Sequence, residues 1–282
     1  MKIEADSTAI RTALWRAMHK LVDSPPLIID DEIGLKLIAP PSDWRERPDM
    51  HPIGTRGYRA SIVARARLIE DLVEEKYNKE GVDQYVMLGA GLDTFVQRRP
   101  ELASKLNVFE IDKPSASGWK KERLLASEYG IPAYLHLVPV DFESNESWMK
   151  QLQNNGFDKQ KPAVITSTGV TLYLTREAIM DMLKQVASFA PGSTFAMTFM
   201  LPAEMVPDDE RPAYLMVQER ARASGTPFLS FFHPDEMIAM AREAGLKKIQ
   251  HISTEEMKTR FFNNRADGLM TATGEEFLIV TT

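Results

Sequence analysis

Three short stretches of the chain pair a permissive backbone or an acidic side chain with the end of an apolar run, a combination suited to holding a nucleoside. The first is Gly89-Ala90-Gly91, which follows the run DQYVML at 83–88. Glycines there let backbone approach a ligand with no Cβ in the way. In open α/β sheets, ligands sit beyond the carboxyl ends of the strands. The second stretch is NVFEID at 107–112, where Glu110 and Asp112 share one face of an expected strand. Asp112 falls about 20 residues past the glycine turn, the offset at which an acid meets a pair of ribose hydroxyls. A carboxylate suits that task because it accepts from two hydroxyls at once. The third stretch, YLHLVPVD at 134–141, ends in Asp141 and is followed by Phe142. There an acid is placed to accept from an adenine amino group, and the ring offers it an apolar contact. Taken singly, the glycines also read as a tight strand-to-helix turn and each acid as a solvated strand end.

Other chemistries find less support. The third glycine of the dinucleotide fingerprint would fall at Thr94, which weakens a nicotinamide or flavin reading but leaves an oxidoreductase as the rival class. His19, His51, His136, His233 and His251 show no HExxH or close pairing, so no metal site is expected. No GxSxG elbow and no Gly-Lys-Ser/Thr loop is present. The chain has no cysteine, which excludes disulfides and thiolate metal sites. Its net charge of −6 argues against a dedicated nucleic-acid binder. No apolar run approaches the ~18 residues that suggest a membrane span. The opening MKIEADSTAI lacks an apolar signal core, so the expectation is a cytoplasmic protein.

The elements that must position these residues follow a clear rhythm. Apolar runs at 83–88, 107–112, 134–141, 163–167 and 194–200 alternate with helical stretches, among them 114–129 and the amphipathic 176–189 with Thr175 as its N-cap. Such alternation predicts a doubly wound, mostly parallel α/β sheet. Residues 1–80 read as a helical cap, with Ile62, Ala66, Ile69 and Val73 forming one stripe. Residues 81–200 read as the cofactor-binding core. Residues 201–232, with four prolines and the aromatic run Phe228-Leu229-Ser230-Phe231-Phe232, read as a lid insertion. A helix at 234–244 and strands near 247–252 and 276–281 close the chain, the two strands as an antiparallel pair, for seven strands in one domain spanning 1–282.

The chain resembles the leucine carboxyl methyltransferase family, including its bacterial small-molecule branch. The resemblance runs over residues 8–200, with a weaker echo at 228–246. It is carried by Thr8-Ala9 with Arg16-Ala17 and Asp30-Asp31, and by Arg56-Gly57-Tyr58 with Leu68-Ile69. Gly89-Ala90-Gly91-Leu92-Asp93-Thr94 with Arg98 is its most specific part, continued by Phe109 to Pro114 with Lys120 and by Val140-Asp141-Phe142. The resemblance implies a Rossmann-like class I methyltransferase fold that binds S-adenosylmethionine and releases S-adenosylhomocysteine. It implies a cofactor site at Gly89, Ala90, Gly91, Asp112, Asp141 and Phe142. It further implies that Arg56 reaches the cofactor carboxylate and that Tyr173, in Thr171-Leu172-Tyr173-Leu174, stands beside the acceptor. Two positions depart from the family pattern: Thr168 stands where a glutamate usually holds the cofactor after the fourth strand, and Phe95 where an arginine is common. Thr168 therefore keeps a cofactor-site position with altered chemistry, which leaves open a protein that binds the cofactor without transferring methyl. The expected reaction is O-methyl transfer to a carboxylate or hydroxyl of a small molecule or a protein C-terminus, with Arg56 and Tyr173 orienting the acceptor.

Overall fold

A computed structural model describes residues 7–142 and 147–282; residues 1–6 of the expected cap lie outside the described part. The chain divides into two compact units. One runs up to Asp158 and takes back Phe261–Thr271, and the other holds Lys159–Arg260 with Ala272–Thr282. The division falls inside the stretch 81–200 that the sequence groups as one core.

The first unit contains α1 (Ser7–Val22), α2 (Ile33–Ile38), α3 (Arg56–Glu80), β1 (Gln84–Leu88), α4 (Phe95–Arg98), α5 (Pro100–Ala103), β2 (Asn107–Asp112), α6 (Pro114–Leu125), β3 (Leu135–Pro139) and α7 (Trp148–Asn154). Its strands pair in parallel, with Leu88 opposite Ile111 and Asp112 opposite Pro139. All five residues of β1 are buried, as the unbroken apolar run requires of a strand covered on both faces. The expected helix at 114–129 stops at Leu125, and the expected strand at 134–141 shortens to 135–139.

The cap is helical only in parts, since irregular stretches separate α1, α2 and α3. On α3, Ile62, Ile69 and Val73 are buried and Ala66 is half-buried. The same helix also buries Arg59 and Glu70, charges that a hydrophobic pattern cannot place inside. Each is paired: Arg59 donates to both oxygens of Asp23 at 2.7 and 2.6 Å, and Arg98 lies 2.5 Å from Glu70. Residues 261–271, which lie between the two closing strands in sequence, return to this cap. Arg265 donates to the carbonyls of Pro26 and Ser24 at 2.6 Å each, and Asp267 accepts from the Ser24 amide at 3.1 Å.

The second unit contains β4 (Val164–Ser167), α8 (Arg176–Ala187), β5 (Thr194–Met200), α9 (Arg211–Ala223), α10 (Pro234–Glu243), β6 (Lys248–Ile252), all but the last turn of α11 (Thr254–Phe262), and β7 (Glu275–Thr281). Thr175 caps α8 by accepting from the Ala178 amide at 3.3 Å. β4 and β5 are parallel, and β7 runs antiparallel to both β5 and β6, so the expected closing pair is present. The seven-stranded sheet has the order β3-β2-β1-β4-β5-β7-β6, the mostly parallel α/β arrangement that the alternating pattern predicts. Residues 201–232 contribute no strand; they hold α9. Among the described residues, no helix is long and apolar enough to cross a membrane.

Candidate cofactor-binding site

In the first unit the three predicted stretches meet at the carboxyl ends of adjacent parallel strands. Gly89 and Gly91 adopt φ of 74° and 52°, the left-handed region that a Cβ disfavours. A Cβ on Gly91 would also stand 3.4 Å from the Ala9 methyl of α1, so the turn is tight from outside as well. The Gly89 and Ala90 amides donate to the Ile111 carbonyl at 2.9 and 3.1 Å, which hooks the start of the turn onto β2.

Asp112 is held from two sides. The Gly91 amide donates to its Oδ2 at 2.6 Å and the Lys113 amide to its Oδ1 at 2.7 Å. A carboxylate oxygen has two lone pairs, so it can accept from an amide and a hydroxyl together. The Val140 amide donates to the Asp112 carbonyl at 2.8 Å and so places half-buried Asp141 beside the end of β2. Phe142, next along, is 38% exposed, as a ring must be to cover a ligand. Glu110, the other acid on this face of β2, does not join the site. It is buried against Lys120, which also donates to the Asp93 carbonyl at 2.7 Å. Burial pushes the Glu110 carboxyl up to about 7 against the pull of Lys120.

Arg56 opens α3 in the same unit and is half-buried. Its Nη2 lies 3.6 Å from where a Cβ on Gly268 would project, so the returning 261–271 segment borders it. Tyr58 of the same motif stacks on Trp15 of α1, with ring centres 5.9 Å apart. Sequence reading missed the motif's anchor, Arg59. Besides gripping Asp23, it donates to the Pro52 carbonyl at 3.0 Å and to Thr55 Oγ1 at 3.1 Å. Its signal was an arginine on the apolar side of an amphipathic helix.

The second unit carries Thr168 and Tyr173. Thr168 is half-buried just past β4. The loop it begins is fastened to β5: the Gly169 amide donates to Thr198 Oγ1 at 2.8 Å, and Thr171 Oγ1 donates to the Thr198 carbonyl at 2.5 Å. Tyr173 ends a 3-10 turn, with its ring edge-on to Phe228 at 5.8 Å. The aromatic run is largely built in. The Leu229 amide donates to the Leu172 carbonyl at 2.7 Å, Ser230 Oγ to the Leu174 carbonyl at 2.5 Å, and the Phe232 amide to the Met200 carbonyl at 2.9 Å. Ser230 and Phe232 are buried, and Leu229 stays 54% exposed.

Comparison with known proteins bears on the family and the fold. The sequence model of the leucine carboxyl methyltransferase family matches residues 9–187. A Bacillus subtilis (strain 168) protein, assigned by name to the S-adenosyl-L-methionine-dependent methyltransferases, is 31% identical, with 95% of each chain covered. Among solved structures, a chain from Thermobifida fusca YX described as a methyltransferase superposes with a TM-score of 0.59 at 16% identity, covering 100% of this chain and 96% of its own. A protein of the DUF574 family from Streptomyces avermitilis gives 0.55 at 14% identity, covering 97% and 99%. These last two likenesses concern the fold alone. The dinucleotide alternative also loses its structural basis at Thr94. That residue is fully buried and donates to Asp31 at 2.7 Å, an interaction glycine cannot make.

Proposed function

The chain belongs to the leucine carboxyl methyltransferase family, and on that premise we propose that this S-adenosylmethionine-dependent methyltransferase methylates an oxygen of its acceptor, a carboxylate in preference to a hydroxyl. The acceptor is a small molecule or a protein C-terminus. When bound, the cofactor supplies a methyl group on a positively charged sulfur, with a neutral thioether as leaving group. The carrying observation for the cofactor site is Asp112, whose carboxylate two backbone amides aim at the glycine turn. Asp112 holds the ribose, Asp141 and Phe142 the adenine, and Gly89 to Gly91 supply close backbone. Arg56 suits the cofactor's carboxylate, which a guanidinium fork grips with two hydrogen bonds. Thr168 and Tyr173 complete the cofactor and acceptor sides of the reading.

The preference for a carboxylate rests on the chemistry of the second unit. A carboxylate is ionised at neutral pH and needs orientation but no base. An alcohol or phenol needs a base, and His233, at the edge of residues 201–232, is the candidate for that role. His233 stands at the start of α10, where its amide donates to Glu236 Oε2 at 3.0 Å and its carbonyl accepts from the Glu236 amide at 3.0 Å.

We further propose that residues 201–232 form a lid. Its base is fixed by Arg211, which donates to the Ala203 and Val206 carbonyls at 2.9 Å each, and by Tyr214, which donates to the Leu201 carbonyl at 2.5 Å. Beyond that base, Leu215 and Met216 are 42% and 48% exposed, apolar surface suited to closing on a ligand.

The test is transfer of a labelled methyl group from S-adenosylmethionine to a panel of carboxylic acids, phenols and alcohols, followed by mild base. Label released as methanol identifies an ester and supports the reading. A base-stable ether product overturns the carboxylate preference while leaving methyl transfer standing.

A further inference from the structure

Arg16, Asp31 and Arg98 belong to the stretches that resemble the family, yet no function proposed above uses them. All three side chains converge behind the glycine turn. Asp31 Oδ2 accepts from Arg16 Nε at 2.6 Å and from Thr94 Oγ1 at 2.7 Å, and Asp31 Oδ1 accepts from the Ile33 amide at 3.0 Å. Thr94 Oγ1 in turn accepts from Arg98 Nε at 2.9 Å, and Arg98 pairs with Glu70 at 2.5 Å. Arg16 Nη2 reaches past Asp31 to the Leu92 carbonyl at 2.5 Å. Burial alone would raise the Asp31 carboxyl, but Arg16 and Arg98 overcome it and hold the group below its ordinary range. The two arginines and two acids balance in charge, which makes so much buried charge tolerable.

We propose that Arg16, Asp31 and Thr94 are positioning residues for cofactor binding: they fix the peptide planes of the glycine turn so that the Gly91 amide stays on Asp112. The inference rests on the cofactor reading above. Leu92 packs its side chain against Ala13 and Trp119, but side-chain packing leaves the rotation of the backbone amides free. A peptide unit is planar, with its carbonyl and amide pointing in opposite directions. Arg16 on the Leu92 carbonyl therefore turns the Asp93 amide the other way, and it donates to the Ala90 carbonyl at 3.0 Å. The next carbonyl, of Asp93, is held by Lys120, and the next side chain, Thr94, by Asp31. Leu92 and Thr94 are thus pinned from the cap and Asp93 from α6, and what these contacts leave to the turn is the Gly91 amide on Asp112. None of the three positioning residues is required to touch the cofactor.

The test measures affinity for S-adenosylhomocysteine by calorimetry, well below the melting temperature of every variant, together with exchange of the Gly91 and Asp93 amides. Thr94→Val keeps the shape and removes the hydroxyl; we expect affinity to fall at least about fivefold, the size of one lost hydrogen bond, with faster amide exchange even without ligand. Thr94→Ser restores the hydroxyl and should return affinity to within about twofold of the wild type. Arg16→Lys, whose single ammonium cannot serve both Asp31 and the Leu92 carbonyl as a fork does, should fall between. A merely structural role would lower stability in Thr94→Val and leave affinity and exchange unchanged. That result overturns the proposal, as does a Thr94→Ser variant as weak as Thr94→Val. A wild-type chain that does not bind S-adenosylhomocysteine overturns the cofactor reading itself, and that outcome is seen before any variant is made.

Discussion

The turn at Gly89–Thr94 and the loop at Val170–Leu174 both extend from the carboxyl end of a parallel strand, yet they are held in different ways. The first is gripped by buried ions: Arg16 and Lys120 on its carbonyls, Asp31 on its last hydroxyl. The second is held by neutral hydrogen bonds from Thr171, Leu229 and Ser230, and exposed Leu229 lies along it. Buried ionic contacts are costly to rearrange, because any partner left alone stays charged and desolvated. Neutral hydrogen bonds near a surface can be exchanged for water at small cost. The difference matches the two tasks. A cofactor is always the same molecule and rewards a rigid cradle, whereas the acceptor side gains from adjustment when a lid closes.

The largest effect should come from breaking the ionic grip. Lys120→Met leaves Glu110 buried without a cation and frees the Asp93 carbonyl, so stability should fall by about 3–5 kcal/mol. The sign with pH is fixed by Glu110. Its carboxyl in the folded protein is already raised to about 7 by burial and rises further without Lys120. The folded variant then holds a proton that the unfolded chain releases above its ordinary value near 4.5. Stability of Lys120→Met should therefore fall as pH rises from about 5 to 9, and fall more steeply than in the wild type. Urea unfolding at several pH values measures both. A loss that is small, or equal at all pH values, would mean the ionic grip does not distinguish the two regions.

Asp112→Ala should be next in size. It removes the carboxylate from the ribose and its tie to the Gly91 amide, and cofactor affinity should weaken by about 1.5–3 kcal/mol with little change in stability. Calorimetry with S-adenosylhomocysteine gives the number. On the other side, Ser230→Ala should cost about 0.5–1.5 kcal/mol of stability and leave that affinity alone. If Ser230→Ala weakens cofactor binding as much as Asp112→Ala does, the contrast between the regions collapses.

Much of this was legible in the residues. The glycine turn, Asp112, Asp141 and the parallel strands announce themselves through short-range patterns: apolar runs, period-two faces and glycines at fixed offsets. The closing antiparallel pair did so as well. What stayed hidden is long-range and electrostatic. Nothing near Asp31 in sequence says that it accepts from Thr94, 63 residues away, and nothing near Arg265 says that it clasps Pro26 across 239 residues. Hydropathy sends charges outward, so Arg59, Glu70 and Lys120 were invisible as core residues until their partners were seen. The placement of the aromatic run at 228–232 stayed hidden for a related reason. Its burial depends on carbonyls of Leu172, Leu174 and Met200, which no local pattern reveals.

The smallest expected effect bears on the acceptor, and there the prediction is that almost nothing happens. A carboxylate acceptor is ionised across the neutral range, so its nucleophile needs no proton removed at the moment of transfer. With cofactor binding and stability checked to be constant, turnover should vary less than about twofold from pH ~6 to ~9, since a carboxylate acceptor gives up no proton at transfer. His233→Ala should keep that flat profile. A hydroxyl acceptor behaves differently, because its proton must leave to a base and the rate climbs as the base ionises. A climb through neutrality that disappears in His233→Ala would assign the ring to base catalysis and overturn the carboxylate preference. A flat profile in both proteins leaves orientation as the whole contribution of the loop at Val170–Leu174, which is what its hydrogen bonds to backbone carbonyls equip it to give.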